Sequence, residues 1–344
     1  MDEEEKKKLI AFMLSSGITS DDVIKFEQDS ELPLSRIRNT SWKQLVDNPV
    51  SMLQLSMPHK EKHDLTEWHV RNGEADLLIR SGKIKNKDGF FESTGLPSSW
   101  FPRYMLLWIV YTVQKTNNRN IFIGHTEAQI LSKLGRDRHK DNYAHLRNQM
   151  PALFNCDLVI NKDFPVIDIG DEDRLPFQGN ADVTEYQRFI GSVYKFENKN
   201  KTGKTGNGDR GYNIYLTDGF YNNIIHNPLP IDFEHVKALV KGGNSIKLDI
   251  YTFLAERLYK IPKDKPLLIE RQDIEDLFGV GAENKGQYYL ETFKDNLKSV
   301  LEVYTAAKVE FSKKDGITLH HSPPPYPLEK IKSTSQLPDS SNES

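Results

Sequence analysis

The sequence predicts an α+β, mostly helical chain with two winged helix-turn-helix blocks in tandem behind an N-terminal arm. Two observations predict this. The order helix, strand, helix, turn, helix, hairpin is legible between residues 97 and 217, and the same order returns between residues 231 and 322 with little identity to the first. The composition, 37% hydrophobic and 28% charged over 344 residues, is that of a globular chain with more than one core.

Residues 1–94 read as the arm. Short helical patterns at Lys7–Leu14 and Asp21–Phe26 give way to a polar linker with Pro33, Pro49 and Pro58, and Lys83–Lys87 (KIKNK) reads as a charged hinge. The first block spans residues 95–228. Pro102 sits where a helix tolerates a missing N–H, and the helix runs from Arg103 to about Thr116. Asn120–Gly124 (NIFIG) alternates like a strand. Thr126 with Gln129 makes a capping-box pattern, and Gly135 is a stop signal. After the basic turn RDRHK a third helix follows, Asp141–Phe154, in which Pro151 should force a kink or an end. Two β-rich runs, Leu158–Ile169 and Phe189–Phe196, lead through the polar loop Glu197–Gly211 to YNIYLT.

The second block spans residues 229–326. Helical segments IDFEHVKALVKG and NSIKLDIYTFLAERLYKI are followed by the short strand KPLLIE and the helix RQDIEDLFGV. A long helix then ends at Tyr304, before a hairpin turning at KKDG, where Asp-Gly is the turn signal. Residues 327–344 read as a disordered tail.

Several functions are set aside by the residues. The longest apolar run, Tyr104–Val113, is flanked by Arg103 and Lys115 and is about half of what a membrane span needs, so it reads as a core helix. The opening MDEEEKKKLIAF lacks the pattern of a signal peptide. A single cysteine, Cys156, allows no intrachain disulfide, and the expected location is cytoplasmic. TGKT (Thr202–Thr205) is no phosphate loop, because Asn198 stands where its first glycine belongs and turn residues follow instead of a helix. No His-x-His, CxxC or HExxH occurs, and His320 and His321 alternate across a strand, so no metal site or DNA-nicking centre is expected. No cofactor and no catalytic residues are expected: the chain is not read as an enzyme.

A winged helix places its third helix in the major groove and its hairpin along the backbone. The residues suit that. Arg103 to Arg147 holds eight Lys/Arg against three Asp/Glu. Arg136, Arg138, His139 and Lys140 precede or open the third helix, suited to phosphates, and Asn142, Tyr143 and Arg147 follow on it; Arg and Asn can pair bidentately with base edges. Arg103, at the start of the first helix, is a further candidate for phosphate contact. Lys199, Lys201, Lys204 and Arg210 form a candidate backbone clamp in the wing loop. In the second block the equivalent set is Lys285, Gln287, Tyr288, Lys294 and Lys298, with Lys313 and Lys314 at the wing tip. The net charge of −3 argues neither for nor against this, since acidic ends can mask a local basic face.

Six segments in order resemble the C-terminal region of the RepA-type plasmid replication initiators, over about residues 96–327. They are Leu96–Pro97 with Pro102–Arg103, the apolar helix Met105–Val110, Leu131–Gly135, the Leu-Arg-x-Gln-Met run at Leu146, Leu248–Tyr251, and Val303–Val309 with Ser322–Pro325. The resemblance implies a protein that binds repeated double-stranded DNA sites at a plasmid origin, helps to open the duplex, recruits host replication proteins and represses its own promoter. It also implies a monomer–homodimer equilibrium, without saying which block dimerises. The same blocks would equally serve a transcriptional regulator without an initiation role or a protein-interaction scaffold.

Overall fold

The structure, a computed structural model, describes residues 48–72, 75–86, 88–168, 177–197, 210–278, 287–314, 316–329 and 331. Helix α1 (Pro49–Ser56) is capped by Asn48, whose side chain accepts the Val50 N–H at 2.9 Å, while Pro49 occupies the first turn, where no N–H is needed. Seven of its eight residues are buried. The linker expected around Pro49 and Pro58 is therefore corrected: Val50, Met52, Leu53 and Met57 belong to the core. The arm continues as the antiparallel hairpin β1 (Glu67–Asn72) and β2 (Ala75–Arg80). The expected hinge at Lys83–Lys87 is largely strand β3 (Lys83–Lys85), paired with β4 (Phe91–Ser93).

Helix α2 (Trp100–Thr116) buries thirteen of seventeen residues and forms the spine of the fold. It ends at Asn117, whose left-handed backbone passes the chain to β5 (Asn120–Gly124). Helix α3 (Glu127–Lys133) begins as the sequence predicts, with the Thr126 side chain accepting the Gln129 N–H at 3.2 Å. It stops in a Schellman motif. Gly135 takes φ 65° while Arg136 N–H reaches the Leu131 carbonyl and Gly135 N–H the Ser132 carbonyl. Helix α4 (Lys140–Asn155) runs four residues past Pro151, so of the kink or end expected there the end does not occur. Burial of Ala152, Leu153 and Phe154 outweighs the one helical bond that proline removes.

Strands β6 (Asp157–Asp168) and β7 (Phe177–Arg188) extend the first sheet to the order β1-β2-β6-β7. β7 was not legible, because FQGNADVTEYQR is too polar to alternate clearly. The chain divides into two compact units, residues 1–44 with 161–184 and residues 45–160 with 185–344. In the first, the described part consists of residues 161–168 of β6 and 177–184 of β7.

In the second unit, β8 (Ile190–Glu197) and β9 (Arg210–Leu216) join β5 in the order β5-β9-β8. Helix α5 (Asp218–His226), unforeseen in the sequence, is capped by Thr217. Then follow α6 (Phe233–Leu239), α7 (Ser245–Arg257) with a 3-10 turn to Lys260, β10 (Leu267–Glu270), α8 (Arg271–Phe278), α9 (Gln287–Val303), β11 (Val309–Ser312) and β12 (Gly316–Leu319). The last sheet has the order β10-β12-β11, so in both three-stranded sheets the final strand lies in the middle. Gly316 is needed at that hairpin: its φ is 120°, and a Cβ there would meet the Ile269 carbonyl at 2.1 Å.

The proline-rich stretch after β12 is packed. Ser322 N–H donates to the Leu258 carbonyl, Tyr326 N–H to the Pro230 carbonyl, and the Lys115 ammonium to the Tyr326 hydroxyl at 2.5 Å. Ile331 is still buried, which moves the start of any tail beyond the expected residue 327. Lys7–Leu14, Asp21–Phe26, Pro33, Thr202–Thr205 and residues 332–344 lie outside the described residues. No helix among those described is long and apolar enough to cross a membrane.

Candidate nucleic-acid interface

The start of α4 gathers the exposed cations the sequence singled out. Arg138, His139 and Lys140 are all exposed, in the turn just after the Schellman stop of α3. His139 caps α4, its ring accepting the Asp141 N–H at 3.4 Å and facing the Asp141 carboxylate at 3.2 Å. The α4 N-terminus contributes its own partial positive charge to the Arg138 and Lys140 pair. One to two turns on, Arg147 is exposed and bonded to both Glu127 oxygens, the shortest contact 2.7 Å, with its guanidinium 5.6 Å from the Tyr143 ring. That carboxylate raises the Arg147 pKa. Arg136 turns inward, half-buried, with its guanidinium 4.7 Å from the Trp100 ring.

Two candidates are corrected. Asn142 is buried and its amide donates to the Asp137 carbonyl at 3.2 Å and to the Asp137 carboxylate, so it braces the turn and cannot reach a base edge. Arg103 has no exposed surface at all. Its Nε donates to both oxygens of Asp249 at 2.8 and 3.0 Å, and its terminal nitrogens to the Met57 and Ser99 carbonyls at 2.7 Å each. Ser99 adopts φ 66° there, a left-handed value unusual for a residue other than glycine, with its N–H donating to the Pro58 carbonyl at 2.9 Å. Gln54 of α1 donates to Asp249 at 3.1 Å and to Thr252 at 2.9 Å. His59 completes the knot between Ser245 and the Phe278 carbonyl. Burial, with the Arg103 charge, pulls the His59 pKa down from 6.5 to about 3. Burial likewise raises Asp249, opposed by Arg103 and by the Gln54 amide. This knot ties α1, α2, α7 and the end of α8 together with charge-assisted bonds.

The knot explains several resemblance motifs. Pro102–Arg103 and Leu248–Tyr251 meet as the Arg103–Asp249 pair. In the Leu-Arg-x-Gln motif, Gln149 is buried, accepting the Ser98 N–H at 2.8 Å and donating to Glu61 at 3.2 Å. Tyr304 donates to the Pro323 carbonyl at 2.6 Å, and Ser322 accepts the Lys308 N–H at 3.0 Å. Nothing in the local sequence marks Gln54, His59 or Gln149 as partners, because each is polar and its partner lies far along the chain.

In the second repeat, Lys294 and Lys298 are exposed one turn apart on α9. Exposed Lys313 and Lys314 sit at the β11–β12 turn, with Lys313 bonded to Glu291 at 2.5 Å, which lowers the Glu291 pKa. Gln287 and Tyr288 stand at the first turn of α9, and Arg210 opens β9 opposite Glu197. Lys199, Lys201, Lys204 and Lys285 lie outside the described residues. Among the described residues no group of three His, Cys, Asp or Glu could hold a metal ion.

A family model described as plasmid encoded RepA protein matches residues 97–271, just over half of the chain. No curated protein matches the sequence. Among solved structures, a crystal structure of a selenomethionine derivative of domains 2 and 3 of RctB matches at TM-score 0.51 and 10% identity. The match covers 82% of this chain and 98% of that one. A second crystal structure of RctB domains 2–3 matches at TM-score 0.42 and 9% identity, over 78% of this chain and 94% of that one.

Proposed function

The chain belongs to the family of plasmid-encoded RepA proteins, a replication-initiator family, and from that premise we propose that it binds duplex DNA at repeated sites of a plasmid origin. Each block acts as a winged helix within residues 95–228 and 229–326: α2, β5, α3, α4, β8 and β9 in the first, with β6 and β7 interposed before β8, and α7, β10, α8, α9, β11 and β12 in the second. The observation that carries this reading is the exposed Arg138, His139 and Lys140 group at the N-terminus of α4, the third helix of the first repeat. The cations there are solvent-facing and lie at the positive end of the helix dipole, as phosphate binding needs, while the Asp141, Asn142 and Tyr143 N–H groups are taken up by His139. Exposed Arg147 further along the helix, although paired with Glu127, can exchange that carboxylate for a phosphate or guanine edge. Lys294, Lys298, Lys313 and Lys314 make the matching surface of the second repeat. The protein acts by binding and not by catalysis, recruits host replication proteins, represses its own promoter, and exchanges between monomer and homodimer.

Footprinting on DNA flanking the gene tests the reading. Protection of tandem repeats that is weakened in an Arg138→Ala/Lys140→Ala variant, with a shallower salt dependence, is expected; each lost phosphate contact lowers the slope by about 0.9. A wild-type protein that protects no site and binds duplex DNA without salt dependence would refute it.

A further inference from the structure

The hairpin of β3 and β4 has no counterpart in the two winged repeats, and its side chains do not serve the core. Phe90 and Phe91 are 72% and 71% exposed, with Ile84 beside them at 36%. Burying such rings in water-free contact is worth roughly 1.5–3 kcal/mol each, so their exposure on a short hairpin marks a contact surface.

The register sorts the hairpin into two faces. Lys83 pairs with Ser93 and Lys85 with Phe91, whereas Ile84 pairs with Glu92. Directly opposed residues share a face of an antiparallel pair. One face therefore carries Lys83, Lys85 and Phe91 and no acid; the other carries Ile84 and Glu92. Asn86 builds the turn, accepting the Asp88 and Phe90 N–H groups at 3.1 and 2.9 Å, which leaves Asp88 in the turn and Phe90 at the tip. The second face borders an open cleft whose far wall is α4. Lys62, His63, Ile84, Glu92, Arg147 and Asn148 line it. The hairpin thus stands directly beside the exposed length of α4.

Resting on the DNA-binding reading above, we infer that the β3–β4 hairpin is a second DNA-contacting element, flanking α4. Lys83 and Lys85, on the face turned away from the α4 cleft, neutralise phosphates where the duplex runs on past the site read by α4, and Phe90 and Phe91 form an apolar wedge against an adjoining base step. Lysine on the face with no acid fits a polyanion. An adjacent exposed aromatic pair at a turn fits a wedge that partly unstacks a step and bends the duplex. The occupant is duplex DNA, not a second copy of this chain, because an isologous contact through this face would oppose lysine to lysine.

The experiment compares full-length wild type with Phe90→Ala/Phe91→Ala and Lys83→Ala/Lys85→Ala on one duplex containing the protected repeat. Affinity is measured at four salt concentrations, bending by circular permutation, and mass by sedimentation of the free proteins. All these side chains are exposed, so folding is expected to be preserved. The lysine variant should lose up to about two units of salt slope. The phenylalanine variant should keep the slope, lose about tenfold in affinity and bend the duplex less, and both should lose protection at one end of the footprint. Wild-type slope, affinity, bend and footprint in both variants, with wild-type binding intact, would overturn the hairpin assignment alone. A reduced sedimentation mass with unchanged binding per protomer would assign the face to a second copy and equally overturn it. Failure of the wild-type protein to bind would instead sink the underlying function.

Discussion

Replacing Arg103 by methionine removes the guanidinium while filling much of its space. Asp249 has no exposed surface, and in the variant it keeps only the Gln54 amide of its charged-form partners, losing both N–H contacts at 2.8 and 3.0 Å. The Met57 carbonyl loses its 2.7 Å donor as well. Breaking one side of a buried ion pair costs roughly 3–5 kcal/mol, chiefly through the stranded charge. Urea unfolding followed by the fluorescence of Trp100 and Trp108, both on α2, measures the loss. The sign can be checked by pH. An unpaired buried carboxylate has a raised folded-state pKa, so the folded variant binds the extra proton and its deficit against wild type shrinks as the pH falls toward 4. Arg103→Met/Asp249→Leu, with both charges gone, should be more stable than Arg103→Met alone. A single-variant loss below about 1 kcal/mol, or an additive double variant, would refute the reasoning. The folded Arg103→Met protein should bind duplex DNA with the wild-type salt slope, since Arg103 meets no phosphate.

Three further outcomes are expected. His59 is held neutral to about pH 3, so between 6.5 and 3 the unfolded chain takes up a proton that the folded one refuses. Stability contributed by neutral His59 is then present above pH 6.5 and is lost at about 1.4 kcal/mol per pH unit below it, a slope that His59→Gln should flatten in acid titrations of unfolding. Burial pushes the Cys156 thiol up to about 12, and its Sγ–H donates to the Leu153 carbonyl. Native protein at pH 8 should resist thiol reagents and label only in denaturant; rapid native labelling would contradict the placement. Thr126→Ala removes the α3 cap and should cost about 1 kcal/mol in the same unfolding assay, with Thr126→Ser recovering most of it.

The local signals in the sequence were read well where one element's residues decide its own form. Thr126, Gly135 and the alternation of NIFIG place α3 and β5 to the residue. Pro49 misleads when proline is read as linker punctuation, because Asn48–Pro49 is itself a helix-start signal. β7 and α5 were missed because their polar residues satisfy no simple period. The site was only half legible. Exposure of Arg138 and Lys140 follows from a turn crowded with charge, which no core accepts. Arg103 looks identical in sequence, a cation opening a helix, yet its fate is decided by Asp249, 146 positions away. Pattern reading sees the period of one helix, not which helix it will cross, so a buried counter-charge is invisible to it.

The return of the chain after β12 has a practical consequence. Tyr326 and the Pro230 carbonyl close the second repeat onto the end of α2, while α1, far upstream, packs its Gln54 against α7. The two repeats are therefore laced rather than strung like beads. A fragment cut at residue 228 would leave Asp249 without Arg103, and one begun at residue 97 would leave it without Gln54. Neither repeat keeps its buried partners when moved alone, so an exchange between related chains has to carry α1, α2 and α7 together.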